Sequence, residues 1–202
     1  MRGVIRMKKI IVINLLLISL FSLTGCKKDE EKILAENIKK MHLTGNLVTY
    51  QAYYHNVVEY DKKAGTGITH LFEENRKLFA EYTGTIKLGI NLSNVKVSVL
   101  GREINVFIPK ASVIGSPNVD KDDFKEENFI ESREGINKNP ITADDSAIAF
   151  DKAQAEMLES ASRDEELLAK AQQRAKIIIE ENIIQFSGLN QKDYSIDWEY
   201  EQ

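Results

Sequence analysis

Apolar and polar positions alternate with a period of two through the first half of the chain and with a helical period through the second. From Leu43 to Tyr60 the run LTGNLVTYQAYYHNVVEY sets Val48, Tyr50, Ala52, Tyr54, Val58 and Tyr60 on one parity, which predicts a half-buried strand of aromatic and β-branched residues. Tyr53 and His55 fall on the opposite, solvated parity. KKAGTGITHLFEENRKL is an excursion between strands. Tyr82, Ile86, Leu88, Ile90 and Leu92 then share a parity, followed by Val95, Val97 and Val99, and by Ile104, Val106 and Ile108 before Pro109. With NLSN and LGRE as turns, these runs predict an antiparallel meander. PKASVIGSPNVDKDDFKEENF adds a shorter strand, a turn and an acidic stretch, with Pro117 and Pro140 as breaks.

From Thr142 the pattern becomes helical, free of glycine and proline and rich in Ala, Glu, Lys and Gln. Thr142 is placed to cap it, with Asp144 and Asp145 in the first turn. Ile148, Ala155 and Leu158, then Leu168, Ala171, Ala175 and Ile178 or Ile179, form the predicted apolar stripe. Either this is one helix of about 45 residues, or it breaks near Ser160 to Ser162, where Ser162 and Glu165 would form a capping box. Gly188 ends it, and Tyr194, Ile196 and Trp198 share one parity in a last strand. The expected fold is α+β: an antiparallel strand meander, a long Ala/Glu-rich helix or helical hairpin, and a C-terminal strand.

The N-terminus carries a different signal. MRGVIRMKK holds four basic residues and no acid, and Ile10 to Leu23 carry no charge. A membrane-spanning helix needs roughly 20 apolar residues. This stretch is shorter and runs into Leu23, Thr24, Gly25 and Cys26, the form of a signal-peptidase recognition site followed by a lipidated cysteine. A thiol is the nucleophile suited to alkylation by a diacylglyceryl group, and small neighbours fit a peptidase cleft. Residues 1–25 are therefore expected to be a removable lipoprotein signal, with Met1 and Met7 both standing as starts, and Cys26 to carry diacylglycerol and palmitate. Residues 26–42 would form a charged tether and short helix, and 43–202 a single domain. Two or more acyl chains hold a protein stably at a membrane, which puts the domain in the cell envelope, outside the cytoplasm.

Removing the four basic leader residues leaves 23 basic against 31 acidic residues, a formal charge of −8. That balance argues against nucleic acid as a partner. Cys26 is the only cysteine, so lipidation leaves no disulfide or thiolate site.

Catalytic motifs are missing from the sequence. His42, His55 and His70 form no HExxH and no local cluster, GxSxG is absent, and AGTG at Ala64 to Gly67 is a turn rather than a phosphate loop. Asn118, Asp120 and Asp122 have the spacing of the first calcium-loop ligands, but Asp123 stands where the turn glycine belongs and Phe129 where the bidentate glutamate belongs. An exposed acidic loop is the reading. The pairs Glu73/Glu74 and Glu180/Glu181 point apart on a helix and read as solvated surface. No catalytic, cofactor or metal residue is assigned, and an enzyme has little support.

YTGTIKLGINLSNVKVSVLGREINVFIPKASVI, Tyr82 to Ile114, together with AKAQQRAKIIIEENI, Ala169 to Ile183, resembles domain-of-unknown-function family 4230. The resemblance covers the chain from about Leu43 onward and implies a bacterial membrane-associated protein, with no catalytic residues to carry over. The layout is also similar, at fold level alone, to band-7 or stomatin-like domains. The expected function is a membrane-anchored extracytoplasmic lipoprotein acting as a non-catalytic interaction or structural module, with a protein partner or self-association through helices 142–187. The alternative is a lipoprotein that binds a small ligand or envelope component.

Overall fold

The computed structural model describes residues 32–38, 41, 43–131, 139–187 and 194–201. The expected signal of residues 1–25, the lipidation site Cys26, His42 and the helix stop at Gly188 lie outside them. The chain divides into two compact units. Its fold is α+β, with an antiparallel strand meander, two long helices and a C-terminal strand.

The first unit, Thr44–Ser93 with Pro109–Ile177, is built on a long hairpin. Strands β1 (Asn46–Lys62) and β2 (Arg76–Asn91) pair antiparallel along their lengths, from Asn46 opposite Asn91 to Lys62 opposite Arg76. Three two-residue strands pair with the other edge of β2: β5 (Ser112–Val113), β6 (Asn118–Val119) and β7 (Ile130–Glu131). The expected parity holds on β2, where Leu78, Ala80, Tyr82, Ile86, Leu88 and Ile90 are buried. On β1 it holds from Tyr50 onward but slips before it. A bulge between Val48 and Tyr50 inserts a residue, so Leu47 faces Ile90 and Val48 turns out to solvent.

Against the buried face lie α1 (Ala143–Arg163) and the first part of α2 (Glu165–Ser187), through Leu167, Leu168 and Ala171. Thr142 caps α1 through a reciprocal box with Asp145. The predicted break is real, but its cap is Asp164 rather than Ser162: the Asp164 carboxylate accepts from Leu167 N–H at 3.0 Å. Between the helix and hairpin alternatives, the chain takes a broken rod. Lys62 pairs with Asp145 at one end, and Thr49 donates to the Ala171 carbonyl at 2.8 Å near the other. Thirteen strand steps cover ~43 Å and 26 helical steps ~39 Å, so both helices run the same way along the hairpin.

The predicted helix stripe is corrected for α1. Its buried apolar positions are Ala149, Ala153, Met157 and Ala161, while Ile148 is 48% exposed, Leu158 40%, and Ala155 is exposed. Large side chains suggested the inward face, but close approach to the sheet selected alanine. At Gly84, a Cβ would lie 3.0 Å from the Met157 methyl and 3.1 Å from the Asn118 carbonyl. Tyr82, Phe124, Phe129 and Phe150 pack in this core with tilted and edge-on ring contacts.

The second unit contains the hairpin of β3 (Lys96–Leu100) and β4 (Glu103–Ile108), turned at Gly101 with φ 63°. Strand β8 (Ser195–Tyr200) lies parallel to β4, from Glu103 opposite Ser195 to Ile108 opposite Tyr200. The meander therefore changes sheets after β2. Ile104, Val106 and Ile108 of the central strand are buried, as are Leu34 and Ile38 of helical residues 32–38 and Ile179 and Ile183 of α2.

Candidate functional site

On the hairpin face away from the helices, antiparallel register brings His55 opposite Thr83 and Tyr53 opposite Thr85. The segment after β6 folds back beside them. Asp120 caps the short helical turn Lys121–Phe124 by accepting from Asp122 N–H at 3.0 Å, and its own N–H donates to the Thr83 carbonyl. Burial of Phe124 at the end of that turn anchors it to the core. Asp123 then accepts from both the Thr83 N–H, at 2.8 Å, and the Thr83 hydroxyl, at 3.0 Å. Tyr53, His55, Thr83, Asn118, Asp120 and Asp122 line an open depression of about 830 Å³.

Two side chains on this face meet across strands. His55 Nε2 lies 2.5 Å from Glu81 Oε1, and both side chains are mostly exposed. A histidine oriented by a carboxylate is a familiar base arrangement, but the chemistry also calls for a cleft that excludes water and a substrate proton within reach. The pair lies open, so its contribution is a cross-strand hydrogen bond. Tyr53, 80% exposed, presents a whole ring beside it.

The residues weighed as calcium ligands have other work in the fold. Asn118 sits in β6, Asp120 is a cap, and Asp122 pairs with Lys125 at 3.2 Å. Among the described residues, no three His, Cys, Asp or Glu side chains converge as a metal site. The glycine segment is a closed turn: Ala64 N–H donates to Asn75, and Gly65 N–H to Glu73. His70 lies 2.8 Å from the same Glu73 carboxylate. The Gly65 hydrogen bond, then that from His70, holds Glu73 below the usual carboxylate range despite its desolvation.

A polar pair is also built into the core edge. Lys62 and Asp145 form an ion pair with side-chain exposures of 12% and 7%, and Lys62 also donates to the Pro140 carbonyl at 2.6 Å. Burial would raise the Asp145 pKa, but hydrogen bonds from Lys62 and Thr142 outweigh it and hold the carboxyl below its ordinary value. Among the buried aromatics, desolvation pushes the Tyr82 phenol up.

The model of the family described as "Protein of unknown function (DUF4230)" matches residues 39–195. The chain belongs to the DUF4230 family. No curated protein and no solved structure matches it. This DUF4230 chain thus takes its functional reading from its own geometry. The acidic segment was visible in the sequence, but its use as cap and hydrogen-bond acceptor was not, because Thr83 lies 40 residues from Asp123. The His55–Glu81 pair was hidden in the same way, since only strand register joins residues 26 apart.

Proposed function

We propose that this protein is a lipid-anchored extracytoplasmic lipoprotein of the cell envelope, and that its folded part is a non-catalytic interaction module. The anchor rests on the basic and apolar leader ending in Leu23, Thr24, Gly25 and Cys26. The single observation carrying the interaction reading is the sheet face turned away from the helices, where Tyr53, Val57 (58% exposed) and Ile130 (63%) are displayed. Large apolar side chains exposed on one sheet face, uncovered among the described residues, support a protein-binding surface. On this reading the partner surface is the hairpin rather than helices 142–187, whose small residues Ala149, Ala153, Ala161 and Ala171 pack against their own sheet. A small-ligand carrier calls for an enclosed apolar pocket. The open depression beside Tyr53, bounded by hydroxyls, an amide and carboxylates, supports that reading less.

The test is crosslinking in living cells followed by capture of the tagged full chain, with Cys26→Ala as control. A protein adduct present in the wild type and lost in the control supports the reading. Equal membrane association of wild type and control removes the anchor, and absence of any adduct removes the interaction.

A further inference from the structure

The two edges of the hairpin are treated differently. β2 receives β5, β6 and β7 on its far side, whereas β1 pairs only with β2 among the described residues. Which β1 groups face the open edge follows from register. Thr83 N–H donates to the Asp123 carboxylate, the Thr83 carbonyl accepts from Asp120 N–H, and the Lys87 carbonyl accepts from Ile114 N–H, all on the side away from β1. Their strand partners are His55 and Gln51. In an antiparallel ladder such residues form non-hydrogen-bonded pairs, so both partners turn their main-chain groups outward. By alternation Gln51, Tyr53, His55 and Val57 all point N–H and C=O away from β2, and all four residues are exposed.

The open length has limits. The bulge at Val48 to Tyr50 bends the strand at one end, and at the other Lys152 occupies the Glu59 carbonyl at 2.5 Å. Natural edges are protected by such bulges and lysines. Between these guards, Gln51 to Val57 is a seven-residue segment with no proline, glycine, lysine or bulge. Its midpoint is Tyr54.

Resting on the interaction reading above, we infer that this edge takes a second copy of the same chain, the two β1 strands pairing antiparallel about a two-fold axis at Tyr54. Symmetry confined to the open segment fixes the register: Gln51 faces Val57, Ala52 faces Asn56, and Tyr53 faces His55 of the second copy. The outward residues then pair with one another and form about eight main-chain hydrogen bonds. No like charges face each other, because the segment carries no acid, lysine or arginine. On the helix side, Tyr54 is only partly buried against its own core and would meet its symmetry mate. A two-fold contact uses the same patch twice and closes, so it ends at a dimer. Anchoring both copies in one membrane would raise their effective concentration.

The test co-expresses two tagged full chains, one Tyr53→Cys and one His55→Cys. Both changes are on exposed side chains, and the facing positions fall within disulfide range. Mild oxidation is expected to link the two tags several-fold more than either variant alone. In parallel, the lipidated chain in detergent is sized by light scattering. His55→Pro removes an outward N–H without touching the main-chain β1–β2 ladder and is expected to give monomer that unfolds like the His55→Ala chain diluted to monomer, while His55→Ala at higher concentration remains dimeric. A monomeric wild type, a dimer that survives His55→Pro, or no link between the two tags overturns the inference. If the in-cell crosslinking traps a different protein and no second copy, the interaction reading stands and this inference falls; if it traps neither, both fall.

Discussion

β1 and β2 are nearly equal in length and paired with each other along their lengths apart from one bulge, yet they are enclosed to different degrees. β2 buries Leu78, Ala80, Tyr82, Ile86, Leu88 and Ile90 and is paired on both edges, whereas β1 buries only Ala52 and Val58 and, among the described residues, leaves one edge open. Both carry alternating apolar residues, so alternation alone does not decide how deep a strand lies. What differs is the chain that follows. The segment from Ser112 to Glu131 returns three times to β2 and never to β1. A central strand of this kind carries stability, and the open one carries surface.

The comparison is tested most severely on β2. Leu88 is fully buried beside Ala52, Ile86, Ala161 and Ala171. Leu88→Ala removes its transfer energy and leaves a cavity under the helix, and is expected to cost about 3 to 4 kcal/mol in urea unfolding followed by circular dichroism. A cost below about 1 kcal/mol would mean that β2 is no more a core strand than β1.

Next in size is the join between the end of β1 and the start of α1. Asp145→Ala leaves Lys62 in a nearly closed site without its carboxylate and removes half of the Thr142 capping box, for an expected loss of about 3 kcal/mol. The sign of its pH dependence follows from the depressed pKa. The Asp145 contribution is complete above the unfolded carboxyl value, near 3.8, and is lost as pH falls through the lower folded value. Wild type and Asp145→Ala should therefore differ by a constant amount from neutral pH down to about 5 and converge in stronger acid. A gap that closes instead toward alkaline pH would place the stabilising charge elsewhere.

Much of this architecture was legible in the sequence, and the failures have physical causes. Thr142 announced its helix because a cap is a local device, and the parity of β2 announced its buried face because no bulge interrupts it. The inward face of α1 was misread because Ile148 and Leu158 outweigh Ala149 and Ala153 on any hydrophobic count, whereas the real constraint was the space above Gly84. Pairing partners were less legible still. The parallel placement of β8 beside β4 joins residues more than 90 positions apart, and the groups around Thr83 come together only after β6 docks. Local chemistry is written in the sequence near where it acts, while register is a property of the assembled sheet.

Gly89 sharpens the contrast at the bulge. A Cβ there would sit 1.9 Å from the Leu47 carbonyl oxygen, a backbone atom that cannot swing aside. Gly89→Ala must therefore push β1 away or undo the bulge, at an expected cost of about 2 kcal/mol. The same alanine substitution at Gly101, where a Cβ meets nothing within 4 Å but φ is 63°, is opposed by backbone strain alone and should cost about 1 kcal/mol. Unfolding that ranks Gly101→Ala above Gly89→Ala would show that β1 gives way easily at its bulge.

The smallest effect is the most informative about function. Tyr53→Ser takes a large ring from β1 at a position 80% exposed in the chain, so little buried area is lost and stability should change by no more than about 0.5 kcal/mol. If the open edge is a contact between two copies, the same substitution removes the ring facing His55 of the second copy, and the monomer–dimer equilibrium should weaken while unfolding of the dilute monomer stays where it was. Sedimentation over a concentration series checks the first quantity and urea unfolding the second. A shift in both by the same amount would mean that Tyr53 supports the fold itself, and the division between a load-carrying β2 and a surface-bearing β1 would not hold at its most exposed residue.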